Sequence, residues 1–218
     1  MQSIRIELSN RHRELDKFVQ LLLSLGTTRN LNTPKRTLKG LFFVHAYSIM
    51  EWVIYSSVGK TIQTINTEMV NLSQLKSVML SLALNSQFGS IKDVGRNKIW
   101  EKKVELFKEI DSDPTVNIDV ALMPTDGRNI TTSQLNSIWS VFCIGLPIVP
   151  RPELNSRINE ITENRRSISH GRNKPEDVGR RYTDNEIEKI NRDVNELSYY
   201  VVNTFSDYCV RALYKKPR

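Results

Sequence analysis

Cysteine and histidine are scarce in this chain, with two of the first and three of the second among 218 residues. Cys143 and Cys209 lie in apolar surroundings, SVFCIG and SDYCVR, with no second cysteine or histidine at metal-ligand spacing. They read as buried, reduced thiols, which argues against a disulfide scaffold or a zinc module, and no metal or other cofactor is implied. No phosphate-binding glycine loop, GxGxxG or GxSxG occurs, which argues against nucleotide hydrolases, dinucleotide enzymes and α/β-hydrolases. Asp111, Asp113 and Asp119 lack the glycine and closing glutamate of a calcium loop and read as polar turn residues. No run of about 18 apolar residues suggests a bilayer span, and MQSIRIELSNRHREL has no apolar core of a secretory signal. The expectation is a cytoplasmic protein without a membrane partner.

What is present is a 39% hydrophobic content, enough to bury an ordinary core, and a net charge of +7. That charge favours an anionic partner, of which nucleic acid is the commonest. The densest basic run is Arg165 to Arg181, joined by Lys215, Lys216 and Arg218. Aromatics are not interleaved with these charges, so an RNA partner would be met through its phosphates rather than by base stacking.

Helical periodicity dominates and the alternation of strands is nearly absent, so the fold class expected is all-α. A first helix runs from about Ile4 to Leu25 and stops at Gly26. After a polar loop, TTRNLN, Thr33 caps a long apolar helix with Pro34 at its first position. Ser73 caps a third helix to about Ser86, and Asn97 to Ile110 forms a fourth with Ile99, Trp100, Val104 and Phe107 on its apolar side. Residues 111–131 are the least helical part, with room for a short extended piece at Ile118 to Leu122. Thr132 or Ser133 then caps a helix ended by Gly145 and the prolines after it, and another helix follows from near Pro152 to Gly171. A basic loop, RNKPEDVGRRY, leads to a last helix from Thr183 to about Tyr214. The whole reads as one domain, residues 1–218, with a core over about 35–214. Residues 1–30 either complete the bundle or form a separate arm.

The stretch ENRRSISHGRN, 163–173, carries the sharpest signal. At about 100° per residue, Leu154, Ile158, Ile161 and Ile168 share one stripe of their helix, and Arg165 falls in its middle. A guanidinium cannot shed its proton to escape burial, so an inward arginine needs a carboxylate, a carbonyl array or a bound phosphate. The bland reading is a core-edge cation that snorkels or pairs with an internal acid such as Glu51. The sharper one rests on His170, where Gly171 releases the chain beside Arg172 and Lys174. An imidazole can take the proton of a 2′-hydroxyl or give one to a departing 5′ oxygen, while an arginine clamps the phosphate between them. One histidine cannot easily do both jobs, and two copies in a dimer could divide them. The spacing alone is weak, since Arg5 and His12 satisfy a looser version of it. His45 reads as a hydrogen-bonded core histidine and His12, between two arginines, as solvated. Trp52, Trp100 and Trp139 read as core or interface anchors.

With NRRSISHG at 164–171, the acid-bearing apolar helix HAYSIMEWV at 45–53 and the order of helices that follows, the sequence resembles the HEPN superfamily. The resemblance implies a helical bundle that dimerises to bring two motifs into one cleft. It also implies a metal-independent endoribonuclease, often the toxin of a toxin–antitoxin pair or an anti-phage effector restrained by a cognate protein. It assigns Arg165 as phosphate clamp, His170 as acid or base, and Glu51 as an inward acid that orients Arg165 or serves as a structural ion-pair partner. The family position after the arginine is usually asparagine, aspartate or histidine; here it is Arg166, which with Arg172 is left a supporting role. The rival expectation is a non-catalytic HEPN-like module that binds nucleic acid or a partner protein.

Overall fold

The computed structural model describes residues 1–26, 29–125 and 129–217, and helices alone build its regular structure. Helix α1 spans Gln2–Ser24 and α2 spans Arg29–Thr67. The chain then runs through two short 3-10 turns into α3 (Leu80–Ala83), α4 (Asn85–Asp93) and α5 (Ile99–Asp111). Helices α6 (Thr132–Val141), α7 (Glu153–Ser169), α8 (Pro175–Gly179) and α9 (Asp184–Val210) complete it. Among the described residues there are two isolated bridges, Asn71 with Thr115 and Leu75 with Lys215, and no strand, so the all-α expectation holds.

Helix α2 is the axis of the bundle and packs against α1, α7, α8 and α9. Its span Leu31–Thr67 is long and apolar enough to cross a bilayer on length and composition alone, contrary to the reading of the sequence. Phe42, Phe43, Ala46, Met50, Val53, Ile54 and Ile62 are instead buried by the surrounding helices. Helix α1 inserts Leu8, Leu15 and Leu22 into the same core against α2 and α9. Helix α9 begins at a capping box, in which Thr183 Oγ1 accepts from the Glu186 N–H (3.2 Å) and Glu186 Oε2 accepts from the Thr183 N–H (2.7 Å).

Several boundaries differ from the sequence expectation. Of the loop TTRNLN, Thr27 and Thr28 lie outside the described residues and the rest belongs to α2, so Pro34 sits inside that helix rather than at its first position. Near a helix start, where the first N–H groups lack intrahelical partners anyway, proline removes little. The third helix is broken into turns because Ser73, the expected cap, gives both its N–H and its hydroxyl to the Asp113 carboxylate, each at 2.7 Å. Residues 118–122 are not a strand. Ile118 is held by the Asn66 side chain, which accepts from its N–H (2.9 Å) and donates to its carbonyl (2.7 Å). Thr131 rather than Thr132 or Ser133 caps α6, which ends at Val141, and two residues on Cys143 takes a left-handed φ of 51° before the expected stop at Gly145. The expected basic loop after Gly171 contains α8. A Cβ on Gly179 would run into the Arg36 carbonyl and one on Gly40 into the Pro175 backbone, so these two glycines let α8 lie directly on α2.

Candidate functional site

The site is built where α7, α2 and the segment entering α6 meet. Leu154, Ile158 and Ile161 of α7 are buried as the stripe requires, and Arg165 continues that stripe half-buried. Its guanidinium carbon lies 4.6 Å from the centroid of the Tyr47 ring, and its Nη1 donates to Asn129 Oδ1 at 2.8 Å. Tyr47, on α2, is almost fully buried; its hydroxyl donates to Glu51 Oε1 (2.9 Å) and accepts from the Ile130 N–H (3.0 Å). Burial, with the Glu51 carboxylate adding to it, pushes the Tyr47 phenol up to about 12, so it remains a neutral donor. Thr162, one turn before Arg165, donates to the Ile130 carbonyl at 2.6 Å. Asn129 and Ile130 are thus pinned between α2 and α7, and they in turn fix the arginine.

Among the described residues no carboxylate lies within 4.0 Å of the Arg165 guanidinium. Glu51, the acid expected to meet it, reaches Tyr47 and touches Arg165 only through that ring. A guanidinium has five N–H donors, and the one acceptor among the described residues is a neutral amide oxygen. Among the described residues the positive charge is therefore held in place without a carboxylate beside it.

His170 is the C-terminal cap of α7, exposed, and its backbone is fixed by the way the helix ends. Gly171 takes φ 67°, its N–H donates to the Ile168 carbonyl (3.0 Å), and the Arg172 N–H donates to the Ser167 carbonyl (2.9 Å). These two bonds make a complete Schellman cap, and they set the backbone that carries the imidazole. No contact joins His170 to Arg165 among the described residues; on a continuous helix they stand about 140° apart. Arg166 and Arg172 are exposed and converge on Glu163, at 3.7 and 3.3 Å. Such exposed pairs are weak and leave both cations free to exchange partners.

The other candidates fall elsewhere. His12, read as solvated, is 3% exposed: it sits on the buried stripe of α1, stacked on Tyr199 at 5.9 Å, with neither ring nitrogen hydrogen-bonded among the described residues. Burial lowers its pKa to about 4, against a smaller upward pull from Asp16. His45 is half-buried and edge-on to Phe18 at 6.0 Å; burial lowers its pKa, with Glu14 opposing and Arg11 adding. Trp139 is in the core, Trp52 is half-buried under Arg11, and Trp100 is exposed. Tyr47 and Asn129 are the residues around Arg165 that the sequence reading missed. Tyr47 was signalled only by standing four residues before Glu51 on one face of α2. Among the described residues no group of three His, Cys, Asp or Glu side chains could hold a metal ion.

Set beside known proteins, residues 1–214 match the family model of the MAE_28990-like HEPN proteins. No curated protein and no solved structure gives a significant match. The family match runs through α1 to α9 and takes in the whole motif from Asn164 to Gly171, and the chain belongs to the MAE_28990-like HEPN family.

Proposed function

We propose that this protein is a metal-independent endoribonuclease whose site is formed by Arg165 and His170. The observation that carries the reading is Arg165 itself: a permanent charge on a core stripe, oriented by Asn129 and Tyr47, with no carboxylate beside it among the described residues. A phosphate supplies the missing anion. In the reaction the 2′-oxygen attacks the neighbouring phosphorus, its proton passes to an imidazole, and the bond to the 5′ oxygen breaks as that oxygen takes a proton. His170 of one copy serves as base and His170 of a second as acid. Arg165 stabilises the charge gathering on the phosphoryl oxygens, Arg166 and Arg172 draw the strand in, and Glu51 acts through Tyr47 to hold the ring on which Arg165 rests. Beside Glu51, Ser48, Trp52 and Tyr55 line a hollow of about 340 Å³ on the outer side of α2, which suits the second copy that joins the two motifs. A nuclease of this kind needs restraint, which fits a toxin or anti-phage effector held by a cognate protein.

End-labelled total RNA incubated with the protein in excess EDTA tests this, with His170→Ala and Arg165→Ala alongside. Cleavage by wild type alone, leaving cyclic phosphate and 5′-hydroxyl ends, is the expected result. The second reading, a binding module without catalysis, is favoured by one observation: among the described residues nothing orients the His170 ring. Intact RNA in all three samples, with RNA still retained in a gel-shift assay, would establish that reading instead.

A further inference from the structure

Helix α5 turns the larger part of its apolar surface away from the protein. Leu106 is its buried residue, whereas Trp100, Val104 and Phe107, spaced four and three apart on one face, are 74%, 51% and 63% exposed. Two aromatics and a valine in one stripe make a patch as large as the biggest on a typical monomer, and such patches are often functional. We infer that this face is a self-association surface, on which α5 of a second copy lies antiparallel across a two-fold axis at Val104. The inference is independent of the ribonuclease reading and concerns a different helix from the one that joins two Arg165–His170 motifs.

Charge decides between a second copy and a lipid surface. The side chains that rim the stripe are Lys103 and Lys108 against Glu101 and Asp111, which sum to zero and offer no attraction to an anionic bilayer. Lys103 is folded over the Trp100 ring at 4.5 Å. Glu101 and Lys108 share one flank and have no ion-pair partner among the described residues. In an antiparallel pair centred on Val104, Glu101 meets Lys108 of the second copy, and symmetry makes that contact twice. Trp100 then packs on Phe107 of the second copy, twice as well. The three apolar side chains offer roughly 400 Å² per copy. With the flanking chains the pair buries about 1,200 Å², the low end for a specific interface, so an affinity on the order of ten micromolar is expected.

Sedimentation velocity of the full chain from about 1 to 200 μM spans that affinity. The expected result is a doubling of mass with concentration, lost in Trp100→Asp, whose RNA cleavage matches wild type. Glu101→Lys and Lys108→Glu should each weaken the association about tenfold, and the double variant should restore it. Since the doubling is counted from whichever species persists at low concentration, a separate pairing through α2 does not obscure it. Constant mass across the range overturns the inference, as does a double variant no tighter than the single ones. Co-sedimentation with phosphatidylserine vesicles that requires Trp100 would also overturn it and assign the face to lipid.

Discussion

Replacing Arg165 by alanine separates a cleft arginine from a structural one by magnitude. Among the described residues the side chain makes one hydrogen bond to a neutral amide at 2.8 Å and a cation–π contact at 4.6 Å. The first is worth about 1.5 kcal/mol for a charged donor and the second about 1 kcal/mol in a half-buried setting. Partial desolvation of the guanidinium offsets some of this, leaving a net loss of roughly 1–2 kcal/mol on truncation. A chain of this size should then melt roughly 2–8 °C lower. A buried ion pair, by contrast, leaves a stranded charge when one partner is removed and costs about 3–5 kcal/mol. The measurement is urea unfolding of wild type, Arg165→Ala, Asn129→Ala and the double variant, run beside the RNA assay. The cycle should give a coupling near 1 kcal/mol between the two residues. A loss above about 3 kcal/mol would place Arg165 among the structural cations, and full RNA cleavage by Arg165→Ala would refute its role outright.

Two further outcomes follow from the packing. His12 binds its proton near pH 4 when folded and near 6.5 when unfolded, so the unfolded chain holds more protons between these values and stability falls as pH drops from about 6.5 to 4. The fall should reach about 3 kcal/mol and level off below it, and His12→Phe, which keeps a ring against Tyr199, should remove that part of the acid limb in urea titrations at several pH values; an unchanged limb would refute it. Gly179→Ala places a methyl group against the Arg36 carbonyl and should cost about 2–3 kcal/mol with α8 displaced from α2, read as a lower urea midpoint; a midpoint equal to wild type would mean that α8 is not seated there.

Two residues show what the sequence could and could not disclose. The Arg165 stripe was legible because apolar neighbours at helical spacing, Ile161 and Ile168, define a face whatever stands between them. The same rule places His12 between Leu8 and Leu15, but its immediate neighbours Arg11 and Arg13 suggested solvent; on a helix, residues four apart decide the environment and adjacent ones do not. Helix α5 marks the limit of that rule. Its periodicity announced an apolar face correctly, but a moment has no reference to the rest of the chain, and Trp100 and Phe107 turned out to face solvent. The anchors Asn129 and Tyr47 were beyond reach, because a contact between α7 and the segment before α6 depends on tertiary packing across 36 positions of sequence.

Polar groups on core stripes meet three fates here, and the differences bear on function. His12 can discard its charge, and burial makes it do so; it becomes a neutral ring stacked on Tyr199. Lys35 and Lys39, buried on α2, share Asp184 at 2.7 and 2.8 Å, with the Leu25 and Tyr182 carbonyls taking further ammonium hydrogens. Burial pushes the Asp184 carboxyl up, and the two ammonium groups outweigh it and hold it below its ordinary range. Those lysines show how this protein holds a structural cation: a carboxylate set between two ammonium groups, with a backbone carbonyl beside each. Arg165 has neither a way to become neutral nor a carboxylate within reach among the described residues, and it is oriented by an amide and a ring. That contrast, a carboxylate beside Lys35 and Lys39 and none beside Arg165 among the described residues, supports the proposal that Arg165 clamps a phosphate from outside.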